Sequence, residues 1–352
     1  MRLEQSLYFD NIRAACRLSI PWEKLEGKSV LITGASGLIG TVLVDILMEK
    51  KKTDGLGVTV LAAGRNEEKA KKRFASYWDE PSFQFLSHDV VQPWPEEISP
   101  DYIIHGAGNT HPTAYVADPV GTITSSVFGL YHLLELAVKK GVKRTVLLST
   151  VEVYGENRDG VQAFREDDMG YINCHTFRAG YPEGKRTAEA LCCAYEKAFD
   201  TDTVTVRLCR IYGPTMAGED SKALAQFIKN AVNGENIVLK SDGSQFFSYC
   251  YATDAATAIL TAFLAGEKGG VYNVADQASD LSLKELAGLV AEENGVEVVF
   301  ELPNNTEKAG FSTATRAVLD ASSLKELGWS PSEKIQTGIR KTVSLLKAGG
   351  LE

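Results

Sequence analysis

A glycine-rich loop joins a short apolar segment to a longer amphipathic one near the beginning of the chain. The apolar segment, Ser29–Thr33, reads S-V-L-I-T, and the G-A-S-G-L-I-G that follows places glycines at Gly34, Gly37 and Gly40. The first glycine permits a tight turn, the second lets backbone amides approach a pyrophosphate, and the third lets the helix pack closely on the strand. Because a helix N-terminus favours an anion, the pattern predicts a βαβ unit that binds a dinucleotide.

Apolar and amphipathic segments alternate from Gly27 to Pro214, as expected for strands that are each followed by a helix. The apolar runs are short and bounded by turn-forming or polar residues, which is typical of buried strands. The alternation predicts an α/β fold with a Rossmann-like, doubly wound, mostly parallel sheet and helices on both faces. The other main predicted strands and the two long predicted helices are Val58–Ala63, Phe83–Leu86, Tyr102–His105, Thr145–Ser149, Ile123–Lys140 and Tyr181–Phe199.

The rhythm changes after Pro214, where short helical segments mix with short strands such as Gly270–Ala275. This change predicts a second, smaller α/β lobe that binds the substrate. The predicted division is a helical arm at 1–26, an NAD(P)-binding domain at 27–214 with 249–271 packing back on it, and a substrate-binding lobe at 215–248 and 272–352.

The composition is that of an ordinary globular protein, with 44% hydrophobic and 24% charged residues. A formal charge of −9 and the lack of a basic block argue against a nucleic-acid surface. No apolar run is long enough to cross a bilayer, so no membrane partner is expected. The six cysteines show no C-x-x-C or metal-ligand spacing. They indicate reduced thiols, so a cytoplasmic protein without a metal site is expected.

The residues after the second predicted strand bear on the choice of cofactor. NAD enzymes usually have an acidic residue here that binds the adenosine ribose, but this strand runs into Gly64-Arg65-Asn66. Arg65 would accommodate a 2′-phosphate, so NADP is an alternative to NAD, whereas a solvated Arg65 would leave the ribose to Asn66 or water. After the third predicted strand, Asp89 is a candidate partner for the adenine amino group or only the cap of a turn.

The sequence Tyr181-Pro-Glu-Gly-Lys185 opens the long predicted helix. Residues four apart share a helix face, so the Tyr181 and Lys185 side chains are expected to point the same way. A tyrosine with its ordinary pKa of about 10 is a poor base at neutral pH. A neighbouring ammonium and a cationic nicotinamide ring would favour the phenolate, which makes Tyr181 a candidate base and Lys185 its partner.

Polar side chains follow the predicted strand Thr145–Ser149, at the carboxyl edge where open α/β sheets bind ligands. Ser149 ends the strand and Thr150 follows it directly, and the Thr150 hydroxyl is suited to orient a substrate alcohol against Tyr181. Glu152 lies two residues further on. It is a candidate acid, base or charge-sensing group, or only a solvated loop charge.

Together these motifs resemble the extended short-chain dehydrogenase/reductase family of NAD-dependent sugar-nucleotide epimerases, dehydratases and decarboxylases. The resemblance runs from about Gly27 to Leu346 and includes T-G-A-S-G-L-I-G, H-G-A-G, S-T-V-E-V-Y-G, Y-P-E-G-K, R-I-Y-G-P and L-G-W-S-P. It implies a catalytic trio of Thr150, Tyr181 and Lys185. The predicted cofactor-binding set is Gly34, Ser36, Gly37, Leu38, Ile39, Gly40, Arg65, Asp89, Val90, Gly106, Ala107, Ser149, Tyr181 and Lys185.

Within that family the chain is most similar to the UDP-glucuronate decarboxylase subgroup. The stretch from Asn173 to Arg186 is similar to its N-P-x-G-P-R-A-C-Y-D-E-G-K-R, and Glu152 falls on its catalytic glutamate. The resemblance implies that the C4 hydroxyl of a uronate is oxidised, carbon dioxide is lost from the β-keto acid, and C4 is reduced again on the same cofactor. The predicted substrate-binding residues are Asn173, Arg178, Arg210, Lys222 and Arg316.

The chain departs from the subgroup at its substrate-binding cations. The subgroup has S-Q-T-R, with an arginine for the substrate, where this chain has Ser244-Gln245-Phe246-Phe247. Arg210 stands where the subgroup has asparagine, and Lys222 replaces an arginine, losing its bidentate fork. The natural substrate is therefore open, and Arg210, Lys222 and Arg316 are the remaining candidate cations for a nucleotide-sugar diphosphate.

Other activities remain open at this point. A nucleotide-sugar 4-epimerase needs only Thr150, Tyr181, Lys185 and a roomy pocket, and an NADPH-dependent reductase is favoured by Arg65. A 4,6-dehydratase is disfavoured because Val151 stands where that chemistry needs an aspartate. A non-catalytic dinucleotide-binding protein would be expected to lack the Tyr–Lys pair. The resemblance also implies a homodimer formed through the two long helices.

Overall fold

A computed structural model of the chain describes residues 3–158, 160–303 and 314–349. Its centre is a seven-stranded sheet, with strand order β10-β6-β5-β4-β1-β2-β3, in which every neighbouring pair is parallel. The order reverses between β1 and β4, which is the position of the ligand crevice in doubly wound folds. These strands are β1 Ser29–Thr33, β2 Thr59–Gly64, β3 Phe83–Ser87, β4 Tyr102–His105, β5 Arg144–Thr150, β6 Thr203–Leu208 and β10 Val271–Val274.

The sheet is covered by helices on both faces, which explains why its strands are apolar nearly throughout. Four of the five residues of β1 and six of the seven residues of β5 are buried. The predicted α/β, Rossmann-like fold is confirmed. The helices of the first two thirds of the chain are α1 Leu3–Ala15, α2 Leu38–Asp54, α3 Glu67–Arg73, α4 Pro112–Ala117, α5 Pro119–Lys140 and α6 Gly180–Phe199.

A second, smaller group of elements follows α6 and β6. Its larger sheet joins β11, β9 and β13, with β7 paired to β9, and its smaller sheet pairs β12 with β8. The strands are β7 Arg210–Tyr212, β8 Ile237–Leu239, β9 Phe246–Tyr251, β11 Asp276–Ser282, β12 Val298–Phe300 and β13 Arg316–Ala317. The helices are α7 Ala223–Asn233, α8 Ala252–Ala265, α9 Leu283–Asn294, α10 Ser322–Glu326 and α11 Ile335–Lys347.

Two predicted elements differ from the structure. The strand expected in the smaller lobe, Gly270–Ala275, is instead β10, because α8 carries the chain back to the large sheet beside β6. The charged segment from Asn66 to Trp78 also predicts one long helix, which the structure forms only in part. Its helical part ends at Arg73, and Phe74 is fully buried in the core, beside Phe83 at 5.3 Å between ring centroids.

Helices α5 and α6 pack against each other along their length. The apolar stripes of these two helices, through which the sequence predicts a homodimer, are mostly buried within the single chain. The residues in question are Leu130, Leu133, Leu134, Ala137, Ala188, Leu191, Cys192 and Tyr195. Among the helices in the described ranges, none is both long and apolar enough to span a membrane.

Candidate active site

The glycine loop forms a tight turn between β1 and α2. Gly34 has a φ of 70°, and a Cβ atom there would lie 2.8 Å from the carbonyl oxygen of Gly106. A Cβ atom on Gly40 would lie 2.3 Å from the carbonyl oxygen of Gly34, so both positions require glycine. Helix α2 begins at Leu38, with Gly37 as its N-cap. The amides of its first turn therefore fit the pyrophosphate of a dinucleotide.

The loop after β4 lies beside this turn, at the reversal of strand order. The amide of Gly106 donates to the carbonyl oxygen of Thr33 over 3.2 Å, and the amide of Ala107 donates to its hydroxyl over 3.3 Å. These bonds hold two predicted cofactor-binding residues at the expected edge of the sheet. Of the remaining members of that set near the loop, Ser36, Leu38 and Ile39 are half-buried and Val90 is buried.

Arg65 and Asp89, predicted to contact the adenosine half of the cofactor, both lie exposed at the ends of β2 and β3. Asn66 caps α3 by accepting a hydrogen bond from the amide of Lys69 over 2.8 Å. Asp89 accepts from the amide of Val91 over 3.3 Å, which is a turn-capping contact. The exposed side chains of Arg65 and Asp89 are therefore accessible for adenosine binding.

The predicted catalytic residues come together where β5 ends and α6 begins. Tyr181 is 7% exposed, and its ring stacks on that of Tyr115, with 4.9 Å between centroids. The Thr150 hydroxyl accepts a hydrogen bond from the amide of Glu152 over 3.3 Å, which leaves its own proton for the phenol of Tyr181. The tyrosine and threonine of the predicted trio are thus neighbours at the carboxyl edge of the sheet.

The electrostatic surroundings of Tyr181 differ from those expected. Burial and then the charge of Glu152 raise the pKa of Tyr181, while Thr150, Arg178 and Tyr115 act to lower it. Arg178, and not Lys185, is therefore the cation of the protein that acts most on the phenol. Arg178 supplies positive charge that lowers this pKa, and the cationic ring of an oxidised nicotinamide cofactor would add to that effect.

Lys185 is 4% exposed and donates to the carbonyl oxygen of Leu148 over 2.8 Å. Burial lowers the pKa of Lys185 to about 8, and Glu189 opposes this shift. Glu189 accepts hydrogen bonds from the hydroxyl of Ser149, over 2.5 Å, and from the Nη2 atom of Arg207, over 2.7 Å. The buried Glu189–Arg207 pair thus fixes the end of β5 beside Lys185.

Glu152 is held by an ion pair. Nη2 of Arg178 donates to its Oε1 over 2.8 Å, and the two side chains are 13% and 22% exposed, respectively. The Arg178 guanidinium also lies 4.8 Å from the ring of Tyr115. Glu152 is therefore a fixed carboxylate beside Tyr181, and not a solvated loop charge.

The predicted substrate-binding residues fall into two groups. Arg178 and Arg210 act electrostatically on each other, and Glu152 stabilises the charged form of both. The others have contacts elsewhere. Asn173 is exposed and accepts from the amide of His175, Lys222 pairs with Asp220 at 3.3 Å, and Arg316 donates to the carbonyl oxygen of Gln162 over 3.0 Å.

Sequence reasoning missed Tyr115, Glu189 and Arg207. Glu189 follows Lys185 by one helical turn, and that spacing is visible in the sequence. Tyr115 lies in the six-residue helix α4, and Arg207 lies in a buried strand. Neither belongs to a motif, so neither carries a local pattern that would identify it.

Comparison with known proteins identifies the family. A family model described as the NAD dependent epimerase/dehydratase family matches residues 30–275. UDP-glucuronic acid decarboxylase 6 of Arabidopsis thaliana is 32% identical over 311 residues, which cover 88% of this chain and 86% of that protein. The chain belongs to the NAD dependent epimerase/dehydratase family. The predicted family, its enzyme class and NAD as its cofactor are confirmed.

Solved structures of similar fold include two enzymes that were solved with NAD. A dTDP-glucose 4,6-dehydratase of Streptomyces venezuelae, with NAD and TYD bound, is 24% identical with a TM-score of 0.77, covering 90% of this chain and 96% of that one. A UDP-glucuronic acid 4-epimerase of Bacillus cereus, in complex with UDP-glucuronic acid and NAD, is 21% identical with a TM-score of 0.76, covering 91% and 99%. At these low sequence identities, the structural similarity supports only the fold of this epimerase/dehydratase family member.

Proposed function

We propose that this enzyme oxidises the C4 hydroxyl of a nucleotide-linked uronate, releases carbon dioxide from C5 and reduces C4 again, as a UDP-glucuronate decarboxylase does. The observation that carries the proposal is the fixed carboxylate of Glu152 beside Tyr181, on a chain that is 32% identical to a protein named for this activity. Thr150, Tyr181 and Lys185 supply the oxidation at C4 with which decarboxylation and 4-epimerisation both begin.

Each residue has a defined part in this reaction. The Tyr181 phenolate takes the proton of the C4 hydroxyl, and Thr150 orients that hydroxyl. NAD, when bound, would supply the hydride acceptor and donor at C4. The resulting 4-keto uronate is a β-keto acid, so the bond from C5 to the carboxylate breaks and the electron pair is held as an enolate. Glu152 passes a proton from solvent to C5, and Tyr181 returns its proton to the C4 oxygen.

The residues of the proposed cofactor site are suited to keep NAD bound throughout the catalytic cycle. The turn at Gly34, Gly37 and Gly40 would hold the pyrophosphate, and Lys185, buried beside the end of β5, would hold the nicotinamide ribose. Asp89 would contact the adenosine, and Arg65 would lie beside its ribose. We propose these roles, with Ser149, on the basis of their common position at the carboxyl edge of the sheet.

A homodimer and a cytoplasmic location are also part of the proposal. Helix α5 exposes Ile123, Phe128, Tyr131 and Val138, and α6 ends with Phe199 exposed to 55%. Such large apolar side chains on two adjacent helices are typical of a surface that another copy covers. Free thiols at all six cysteines fit a reducing compartment.

The test is mass spectrometry of the purified protein after incubation with UDP-glucuronate, UDP-galacturonate or UDP-glucose, without added cofactor. We expect a product lighter by carbon dioxide from one uronate only, and no such product from the Tyr181→Phe variant. An unchanged mass with a shifted retention time would replace the proposal by 4-epimerisation. Turnover that requires added NADPH would replace it by a reductase.

A further inference from the structure

Arg210 begins β7, directly beyond the carboxyl end of β6. In the register of the β7–β9 pair Arg210 lies opposite Tyr249, and Phe247 is two residues earlier on β9, on the same face as Tyr249. The Arg210 guanidinium lies 3.3 Å from the centre of the Phe247 ring. Stacking uses the face of the guanidinium, so its N–H groups still point outward in its plane.

Three polar atoms in this region lack a hydrogen-bond partner within the described part of the chain. They are Nη1 of Arg210, the phenol oxygen of Tyr249 and Nε of Arg178. Each is a donor, and a buried donor left unpaired costs folding free energy. Unpaired buried donors are uncommon, and several in one region indicate a site that an oxyanion would complete.

The charges of this region favour one further negative charge. Burial lowers the pKa of Arg210, whereas Tyr249 and Glu152 act to raise it, and Arg178 acts against them. Arg210 is thus within electrostatic range of the Glu152–Arg178 pair. Two guanidinium groups and one carboxylate leave a net charge of one positive unit near Tyr181.

Two departures from the subgroup sequence meet at this point. Phe247 stands where the subgroup has the arginine of S-Q-T-R, and Arg210 stands where it has asparagine. The structure places the guanidinium of Arg210 directly on the ring of Phe247. This chain therefore has an arginine on β7 in contact with the residue of β9 that replaces the subgroup's arginine.

We propose that Arg210 is a specificity-determining residue that binds the carboxylate of the sugar, with the hydroxyl of Tyr249 beside it. This inference rests on the proposed function and names the group that selects its substrate. The sugar carboxylate is attached to C5, next to the C4 atom that Tyr181 must reach. Leu208 lies opposite Thr150 in the β5–β6 register, so Arg210 follows directly beyond the edge of the sheet that carries Thr150. Its anion therefore belongs to the sugar and not to the diphosphate.

The experiment compares ligand binding in the NAD-loaded protein by calorimetry, using UDP-glucuronate, UDP-glucose and UDP. We expect Arg210→Gln to weaken UDP-glucuronate binding by about 30-fold or more, in line with loss of a charge-assisted bidentate contact. UDP-glucose and UDP, which lack the carboxylate, should change by less than about threefold. Arg158→Gln is the matched control, because Arg158 also stacks on an aromatic ring, Tyr171, but lies exposed and paired with Glu156.

The outcomes separate the inference from the proposed function. Equal losses for all three ligands would assign Arg210 to the diphosphate, and unchanged binding of all three would assign it to packing; either result overturns the inference. A wild-type protein that binds UDP-glucuronate selectively through Arg210 but releases no carbon dioxide would overturn decarboxylation alone. Thermal melting and NAD binding of each variant establish that the loss is not one of folding.

Discussion

The guanidinium of Arg178 donates to the carboxylate of Glu152 over 2.8 Å, and both groups act on the phenol of Tyr181 with opposite sign. Arg178 lies just before α6, whereas Glu152 follows β5. The pair therefore links the two segments that carry the catalytic trio. Because both side chains are mostly buried, removing one leaves the other as an uncompensated charge.

Opposite shifts in pH dependence are expected when the two members of this pair are removed. Glu152 raises the pKa of Tyr181 and Arg178 lowers it. The limb of the pH–rate profile for C4 oxidation that is set by ionisation of Tyr181 should therefore move to lower pH in Glu152→Gln. In Arg178→Gln the same limb should move to higher pH. The oxidation is followed in single turnovers by fluorescence of the reduced nicotinamide. Shifts in the same direction would show that the pair does not control Tyr181 by its charges.

Glu152→Gln is also expected to separate the two chemical steps. In the proposed reaction, oxidation at C4 depends on Tyr181, Thr150 and Lys185, so reduced nicotinamide should still form in this variant. Loss of carbon dioxide should fall by about 100-fold or more, within the range for one positioned acid or base. Glu152→Asp, which keeps a carboxylate, is the matched control, and NAD content is measured in both variants. A normal rate of decarboxylation in Glu152→Gln would remove this residue from the mechanism.

Local chemistry explains what the sequence predicts and what it does not. Gly34 and Gly40 are recognisable because only glycine fits at these positions, where a Cβ atom would lie less than 3 Å from a backbone oxygen. Tyr181 and Lys185 are recognisable because four residues make one helical turn. The Arg178–Glu152 contact joins residues 26 positions apart, and the Tyr115 stack joins separate helices. Contacts of this kind depend on the packed fold, and no local periodicity encodes them.

The apolar stripes of α5 and α6 show the same limit of sequence reasoning. Periodicity marks which face of a helix is apolar, but not whether the protein itself covers that face. Leu134 and Ala188 are fully buried within the chain, so they cannot contact a second copy. The exposed residues of α5 fall outside that regular stripe. The predicted dimer therefore depends on a different face from the one indicated by the sequence.

A charge on the exposed face of α5 should prevent dimer formation. Phe128 is 50% exposed, and burying an aspartate there against a second copy would leave an unpaired charge. We expect the mass of Phe128→Asp, from light scattering after size-exclusion chromatography, to be that of a monomer. Leu302→Asp is the matched control, since Leu302 is 96% exposed but lies in the smaller lobe, and its mass should equal that of the wild type. A monomeric wild type would end the dimer proposal.

The position of Arg65 makes a specific prediction about cofactor choice. Arg65 is exposed at the end of β2, where it can meet a 2′-phosphate but contributes little to binding a ribose that lacks one. Arg65→Glu should therefore weaken NADP binding by about tenfold or more and change NAD binding by less than about threefold. Lys72→Glu, which makes the same charge change on exposed α3, is the control. Equal effects on both cofactors would place Arg65 at a group that they share.

His105 should make the protein sensitive to acid. Its ring is fully buried at the end of β4, with Nδ1 2.8 Å from the hydroxyl of Thr33, and Nε2 has no partner among the residues that the structure describes. Burial, reinforced by the charge of Lys185, lowers the pKa of His105 to about 3. The folded protein thus keeps the ring neutral at pH values where the unfolded chain, with a histidine pKa of about 6.5, binds a proton.

The unfolded state therefore binds more protons than the folded state between pH values of about 6.5 and 3, and the free energy of unfolding decreases as the pH is lowered through this window. By about pH 5 the loss from this one group is about 2 kcal/mol. We expect the wild type to lose this amount relative to His105→Asn when urea unfolding is compared at about pH 7 and pH 5. The control His175→Asn, at an exposed histidine, should follow the wild type. If His105→Asn and the wild type lost stability in parallel, the folded protein would bind a proton at His105 over this pH range. That result would contradict the prediction and would put a second positive charge close to Lys185.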